Sequence, residues 1–213
     1  MTFDLKYGFI KAGHSVMALE DTEQVHGHTT YRIHSRTSST GFVDTFYSVR
    51  DRITSWVDTH TLATIQFEKS LHEGSYKKDY QVWFDYKNML AYSNQDTLEI
   101  QTYMQDILSL FYYIRSLKLS VGDTIKLSNY DNDKISPFFL QVSGKEKVSV
   151  PAGKFRCLII EPFVQSDFLF KYEGRLQIWL TDDANRIPVM MKSKATIGSM
   201  ILELTHYTSG TNE

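Results

Sequence analysis

The chain has 213 residues, of which 42% are hydrophobic and 14% aromatic, and it carries 23 Lys and Arg against 25 Asp and Glu for a net charge of −2. That balance argues against a nucleic-acid-binding protein, which shows a basic excess, and the aromatic content argues against a disordered chain. The length suits one domain spanning residues 1–213 that needs neither disulfide nor metal to fold.

Taken in chain order, the sequence reads as short strands punctuated by turns. Phe3 to Ile10 alternates as a first strand, and Lys11-Ala12-Gly13 is expected to turn it back, with Gly13 at positive φ. His14 to Leu19, Thr29 to Thr37 and Arg50 to Val57 follow, with one helical turn expected over Gly41 to Tyr47. Ala63 to Leu71 and Tyr76 to Tyr86 are long strands joined at Glu73-Gly74-Ser75. Later strands are Thr124 to Tyr130, Ile135 to Val142, Glu146 to Val150, Lys154 to Val164, Arg175 to Leu180, Ile187 to Lys194 and a last one from Gly198. Proline sits mostly at strand ends.

One segment breaks this rhythm. Between Asp106 and Lys118, residues Ile107, Leu110, Phe111, Ile114 and Leu117 recur at helical spacing. Asp106 is placed to cap the helix and Lys118 to favour its dipole. Leu108, Tyr112 and Tyr113 lie off the stripe, so the helix is apolar almost all round, as a helix enclosed by protein is. The expected fold is mainly β: a long curved antiparallel sheet of about twelve strands, forming an open or nearly closed barrel around one enclosed α-helix.

The pieces Tyr7 to Gly13, Val49-Arg50-Asp51-Arg52, Gly74 to Lys78, Asp106 to Arg115, Val150 to Phe155, and Trp179 to Asp183 with Ile187-Pro188-Val189 resemble, in that succession, the DUF3108 family of bacterial envelope proteins. The resemblance implies a periplasmic or outer-envelope location with the export signal removed. A native cytosolic start is the alternative left open by the residues alone. It also implies a distant likeness to lipoprotein-carrier folds, in which an open barrel covers an apolar concavity with helix. This chain departs from them in offering one convincing helix. The family brings no active site to carry over.

Chemical motifs are few. His26-Gly27-His28 is the one close histidine pair, and no third metal ligand stands at a recognisable spacing. Asp131-Asn132-Asp133 and Asp182-Asp183 lack the glycine and distal glutamate of an EF-hand. No hydrolase, P-loop or dinucleotide fingerprint occurs, so neither an enzyme nor a cofactor is expected. Cys157 is alone and reads as a buried thiol. No apolar run reaches the ~20 residues of a spanning helix. Arg115 stands on the apolar helix, where a charge needs a partner. Asp51 or Asp44 is expected to supply it, fixing helix against sheet.

The aromatic residues divide between core and a possible groove. Leu108, Phe111 and Tyr112 are expected to line a concave site beside the helix, with Phe168 and Phe170 as a flap over it. The expected function is a non-catalytic envelope protein binding an apolar or amphipathic, lipid-like ligand. The alternative is a structural or assembly protein that contacts another envelope component through sheet edges or an aromatic loop.

Overall fold

The computed structural model describes residues 1–163, 176–194 and 199–208. The chain runs β1 (Thr2–Tyr7), β2 (Ile10–Val25), β3 (His28–Ser39), α1 (Gly41–Phe46), β4 (Arg50–Asp58), β5 (Thr64–Glu73), β6 (Tyr76–Asp85), β7 (Leu90–Ser93) and β8 (Thr97–Glu99). Helix α2 (Ile107–Ser116) then leads into β9 (Thr124–Asp131), β10 (Lys134–Val150), β11 (Gly153–Phe163), β12 (Leu176–Thr181), β13 (Pro188–Lys194) and β14 (Ser199–His206). The strands form one fourteen-stranded antiparallel sheet in which β1 pairs with both β2 and β14, so the two halves of the meander meet at its middle. The outermost strands, β8 and β9, do not pair with each other, and the sheet is not closed.

Fourteen strands replace the expected twelve or so. Strands β7 and β8 have four and three residues, too few to show alternation in the sequence. The two strands expected over Ile135 to Val150 are one, β10, continuous through a bulge between Val142 and Gly144. The first hairpin also differs. Its turn is Gly8-Phe9, with Gly8 at φ 60°, whereas Lys11 to Gly13 lies inside β2 where the register shifts against β1. Gly13 is required there for another reason: a Cβ would run into the carbonyl oxygen of Ser38. The hairpin residues Asn132 and Asp133 do adopt positive φ, as their tolerance of left-handed geometry predicts.

The β9 edge is joined to β5 and β6 by side chains and by the segment ahead of α2. The Tyr130 amide donates to Gln105 O at 2.8 Å and the Thr64 amide to Met104 O at 2.9 Å, so this segment bridges β9 and β5. Lys69 on β5 reaches Asp131 at 2.5 Å, and the Tyr80 hydroxyl donates to Asp133 at 2.9 Å. Asp106, wholly buried, then caps α2. Its Oδ1 accepts from the Leu108 and Ser109 amides, and its Oδ2 from the Ser55 and Thr64 hydroxyls at 2.5 and 2.8 Å. One carboxylate thus ties β4, β5 and α2. Burial raises its pKa, against the pull of these donated bonds.

Helix α2 divides its apolar residues between two cores. Leu108 packs with Phe3, Met17, Ile33 and Val57, and Leu110 and Ile114 with Leu140, Ile160, Ile178 and Leu180. Ile107, expected on the buried stripe, is 45% exposed. The first turn is set by its polar groups: Ser109 faces inward to bond Thr64 and the Asp106 amide, which turns Ile107 outward. Replacing Asp106 by Ala removes a helix cap and strands two buried hydroxyls. A loss of about 3 kcal/mol in urea denaturation is expected, with a smaller loss for Asp106→Asn, which keeps one acceptor.

Candidate functional site

The face of the sheet that carries α2 can be followed across the strands by register. Ile178, Met191, Leu202, Leu5 and Gly13 form one cross-strand row. Two residues nearer the open end, Leu176, Ser193, Met200, Tyr7 and Ile10 form the next row on the same face. Exposure rises between the two rows. Leu5 and Ile178 of the first are 6% and 7% exposed with Met191 and Leu202 half-buried, whereas in the second Met200 and Ile10 reach 47% and 62% beside half-buried Leu176 and Ser193. On β12 to β14, β1 and β2 the two rows are thus apolar among the described residues apart from Ser193 and the Tyr7 hydroxyl, and they outline a trough beside the helix.

The same face on β4 to β6 is charged at that end. Asp51 accepts the His72 amide at 3.0 Å and lies beside Glu73. Burial raises Asp51 above its ordinary 3.8, and burial together with the neighbouring Asp51 raises Glu73 above its ordinary 4.5. Lys78 stands over the Tyr80 ring at 5.9 Å. The Tyr80 hydroxyl is pushed up to about 12 by burial, and Tyr130 upward for the same reason. The open end of the sheet thus has one apolar wall and one charged wall.

Leu108, Phe111 and Tyr112 sit together on α2, where they pack in the first core. Phe111 also touches the second. Phe168 and Phe170 lie outside the described residues. The expected charge network is corrected. Asp44 is held by Arg50 in a bidentate pair at 2.7 and 2.8 Å, which with the Ser39 hydroxyl keeps its carboxyl well below the usual range. Asp51, on β4, accepts the His72 amide of β5 as described. Arg115 instead donates to the Arg186 and Asn185 carbonyls at 3.0 and 3.3 Å and stacks over Tyr112 at 4.9 Å. The turn after β12 supplies two carbonyl acceptors for guanidinium donors without burying a second charge. Tyr7, Ile10 and Met200 escaped the sequence reading, because only register between distant strands brings them into one row.

The histidines of the β2–β3 turn diverge. His26 stacks on Trp83 and bonds Gln66, while His28 faces Asp58 at 3.2 Å. Among the described residues no three His, Cys, Asp or Glu side chains come together as metal ligands, and no helix is long and apolar enough to cross a membrane. Cys157 is buried, and burial with nearby Glu146, Asp182 and Asp183 pushes its thiol up to about 11, which leaves it unreactive.

The family model described as a protein of unknown function, DUF3108, matches residues 2–205. The chain belongs to the DUF3108 family. A solved structure, the beta-barrel-like protein of domain of unknown function DUF1849 from Brucella abortus, is similar over 95% of this chain and 93% of its own, with a TM-score of 0.61 and 12% identity. At that identity the likeness shows a shared barrel-like fold. A comparison with curated proteins found no match.

Two variants probe this DUF3108 chain directly. Arg115→Met, which leaves two carbonyls without their donor, is expected to lower stability by about 1–2 kcal/mol in denaturant titration. For Asp51 and Glu73 the raised pKa values mean that their contribution to stability is greatest below their ordinary values and is lost as pH climbs through the raised ones. Glu73→Gln is therefore expected to melt above the native chain at neutral pH, with the gap closing on acidification. A gap that stays constant with pH would show that the Glu73 carboxyl is not raised in the folded chain.

Proposed function

We propose that this protein is a non-catalytic binding protein of the bacterial envelope that holds an apolar or amphipathic, lipid-like ligand in the trough, with α2 enclosed by the sheet as its floor. The observation that carries this is the exposure gradient. Leu5 and Ile178 give way to Met200, Tyr7 and Ile10 with only Ser193 interrupting the apolar rows. Side chains this exposed add little to folding, since each gains its ~1.5–3 kcal/mol only when it is buried. A ligand chain laid along the rows would cover them.

Helix α2 suits the role of floor. Its N-cap is bonded to Ser55 and Thr64, and its last turn to the loop after β12. It is thus anchored at both ends, away from the row of Ile10 and Met200. The charged wall, with Lys78 and the Asp51–Glu73 pair, favours a ligand with a polar head over a pure hydrocarbon. The envelope location follows from the family resemblance. Assembly through a sheet edge has less to support it. Strand β8 is three residues long, and β9 is bridged by Gln105 at Asn129, both of which blunt an edge.

Titration with a dansyl fatty acid tests the proposal. Saturable binding with a blue shift is expected, weakened about tenfold or more by Met200→Glu and by Ile10→Glu. Val121→Glu, exposed and outside both rows, is expected to bind as the native chain does. No saturable binding, or equal binding by all three variants, would overturn the trough as a ligand site.

A further inference from the structure

In a serial antiparallel meander, alternate connections fall at opposite ends of the sheet. The β1–β2, β3–β4 and β5–β6 connections therefore share one end, the end to which Tyr7, Ile10 and Met200 open. Each of these connections is built alike. Gly8, Gly41 and Gly74 stand at φ 60°, 61° and 60°, and each is followed within two residues by an outward aromatic: Phe9, Phe42 and Tyr76. Phe9 is fully exposed, and Phe42 and Phe46 are 76% and 71% exposed. The two phenyl rings of α1 lie against each other at 4.6 Å, and α1 buries none of its residues.

This helix is held out to solvent by its base. The Thr40 amide donates to Ala12 O, Ser39 and Arg50 grip Asp44, and Gly74 passes against the Tyr47 ring. The three tips are thereby neighbours on one rim. At the opposite end three turns are closed by Asp58, Asp85 and Asp183, whose carboxylates each accept two backbone amides, and the other two turn at Gly27 and Gly153.

Charge around the aromatic rim is mixed. Asp44 and Asp4 are neutralised by Arg50 and Lys11, and Asp51 and Glu73 lie half-buried beside each other at the same end. Lys77 and Lys78, directly after Tyr76, form no salt bridge among the described residues. A protein partner would favour one continuous, shape-matched patch. Separate apolar pegs with polar backbone between them, set among unpaired lysines, suit instead a fluid apolar phase with an anionic surface.

We propose that this rim docks on an anionic lipid surface, with Phe9, Phe42 and Phe46 inserting below the headgroups and Lys77 and Lys78 resting on them. The trough then opens toward the bilayer, although the docking holds whatever the trough binds.

Flotation of the full chain with vesicles tests this. One set is phosphatidylcholine alone, and the other is phosphatidylcholine with phosphatidylglycerol at about two to one. The chain is expected to float with the anionic vesicles, and the Phe42→Ser/Phe46→Ser double variant to do so at least about tenfold less while melting at the native temperature, since α1 buries nothing. Lys77→Glu/Lys78→Glu is expected to lose the preference for anionic vesicles. Absence of flotation in both compositions, or undiminished flotation of the Phe double variant, overturns the docking. So does a concentration-dependent dimer that the same Phe variant abolishes, which assigns the rim to a second copy of this chain. Dansyl fatty acid binding separates the two readings: binding kept by the Phe double variant with its flotation lost is the expected pair, and flotation of the native chain without fatty acid binding removes the trough and leaves the docking.

Discussion

Fourteen strands whose outer edges never pair need something other than a ladder to hold their ends together. Here the join runs through Asp106. Its carboxylate takes hydroxyl donors from β4 and β5 and amide donors from α2, while the preceding residues bond to β5 and β9. A buried carboxylate is costly unless its lone pairs are met, and four donors meet them. The position of α2, and with it the depth at which the interior is filled, follows from this one cluster.

From that anchor the rest of the packing becomes directional. The helix fixes Leu108 in one core and Leu110 with Ile114 in another. Moving along the strands away from it, the apolar rows lose their covering while keeping their chemistry. The seam between β5–β6 and β9–β10 is closed there by Lys69, Asp131, Tyr80 and Asp133. That arrangement brings charge to one side of the open end and leaves hydrocarbon on the other.

Much of this was legible locally. Asp106 as a cap, the helical spacing that follows it and the alternation of the long strands all depend on contacts within a few residues, which sequence periodicity reports. The partner of Arg115 was not legible. Charge complementarity nominated Asp44 and Asp51, but Asp44 had Arg50 six residues away, and Arg115 found carbonyls about seventy residues distant. Gly13 misled for a related reason: a glycine signals either positive φ or close approach, and only the register of β2 against β1 and β3 tells which. The row from Leu176 to Ile10 joins residues from both ends of the chain, and no window of sequence contains it.

The distribution of cost across the molecule argues that the open end is maintained for something other than folding. Two of the three buried apolar clusters include residues of α2, and its N-cap carboxylate is fully bonded. The exposed Met200 and Ile10, and the phenyl rings of α1, add almost nothing to that core, and exposed apolar surface carries a standing risk of aggregation. Polar residues at these positions would remove the risk with little loss of packing. Hairpin tips are also where backbone demands on side-chain identity are weakest beyond the glycine itself, so the aromatic that follows each of Gly8, Gly41 and Gly74 is not dictated by the turn. What those residues have in common is their place at one end of the sheet, where the docking proposed above would cover them.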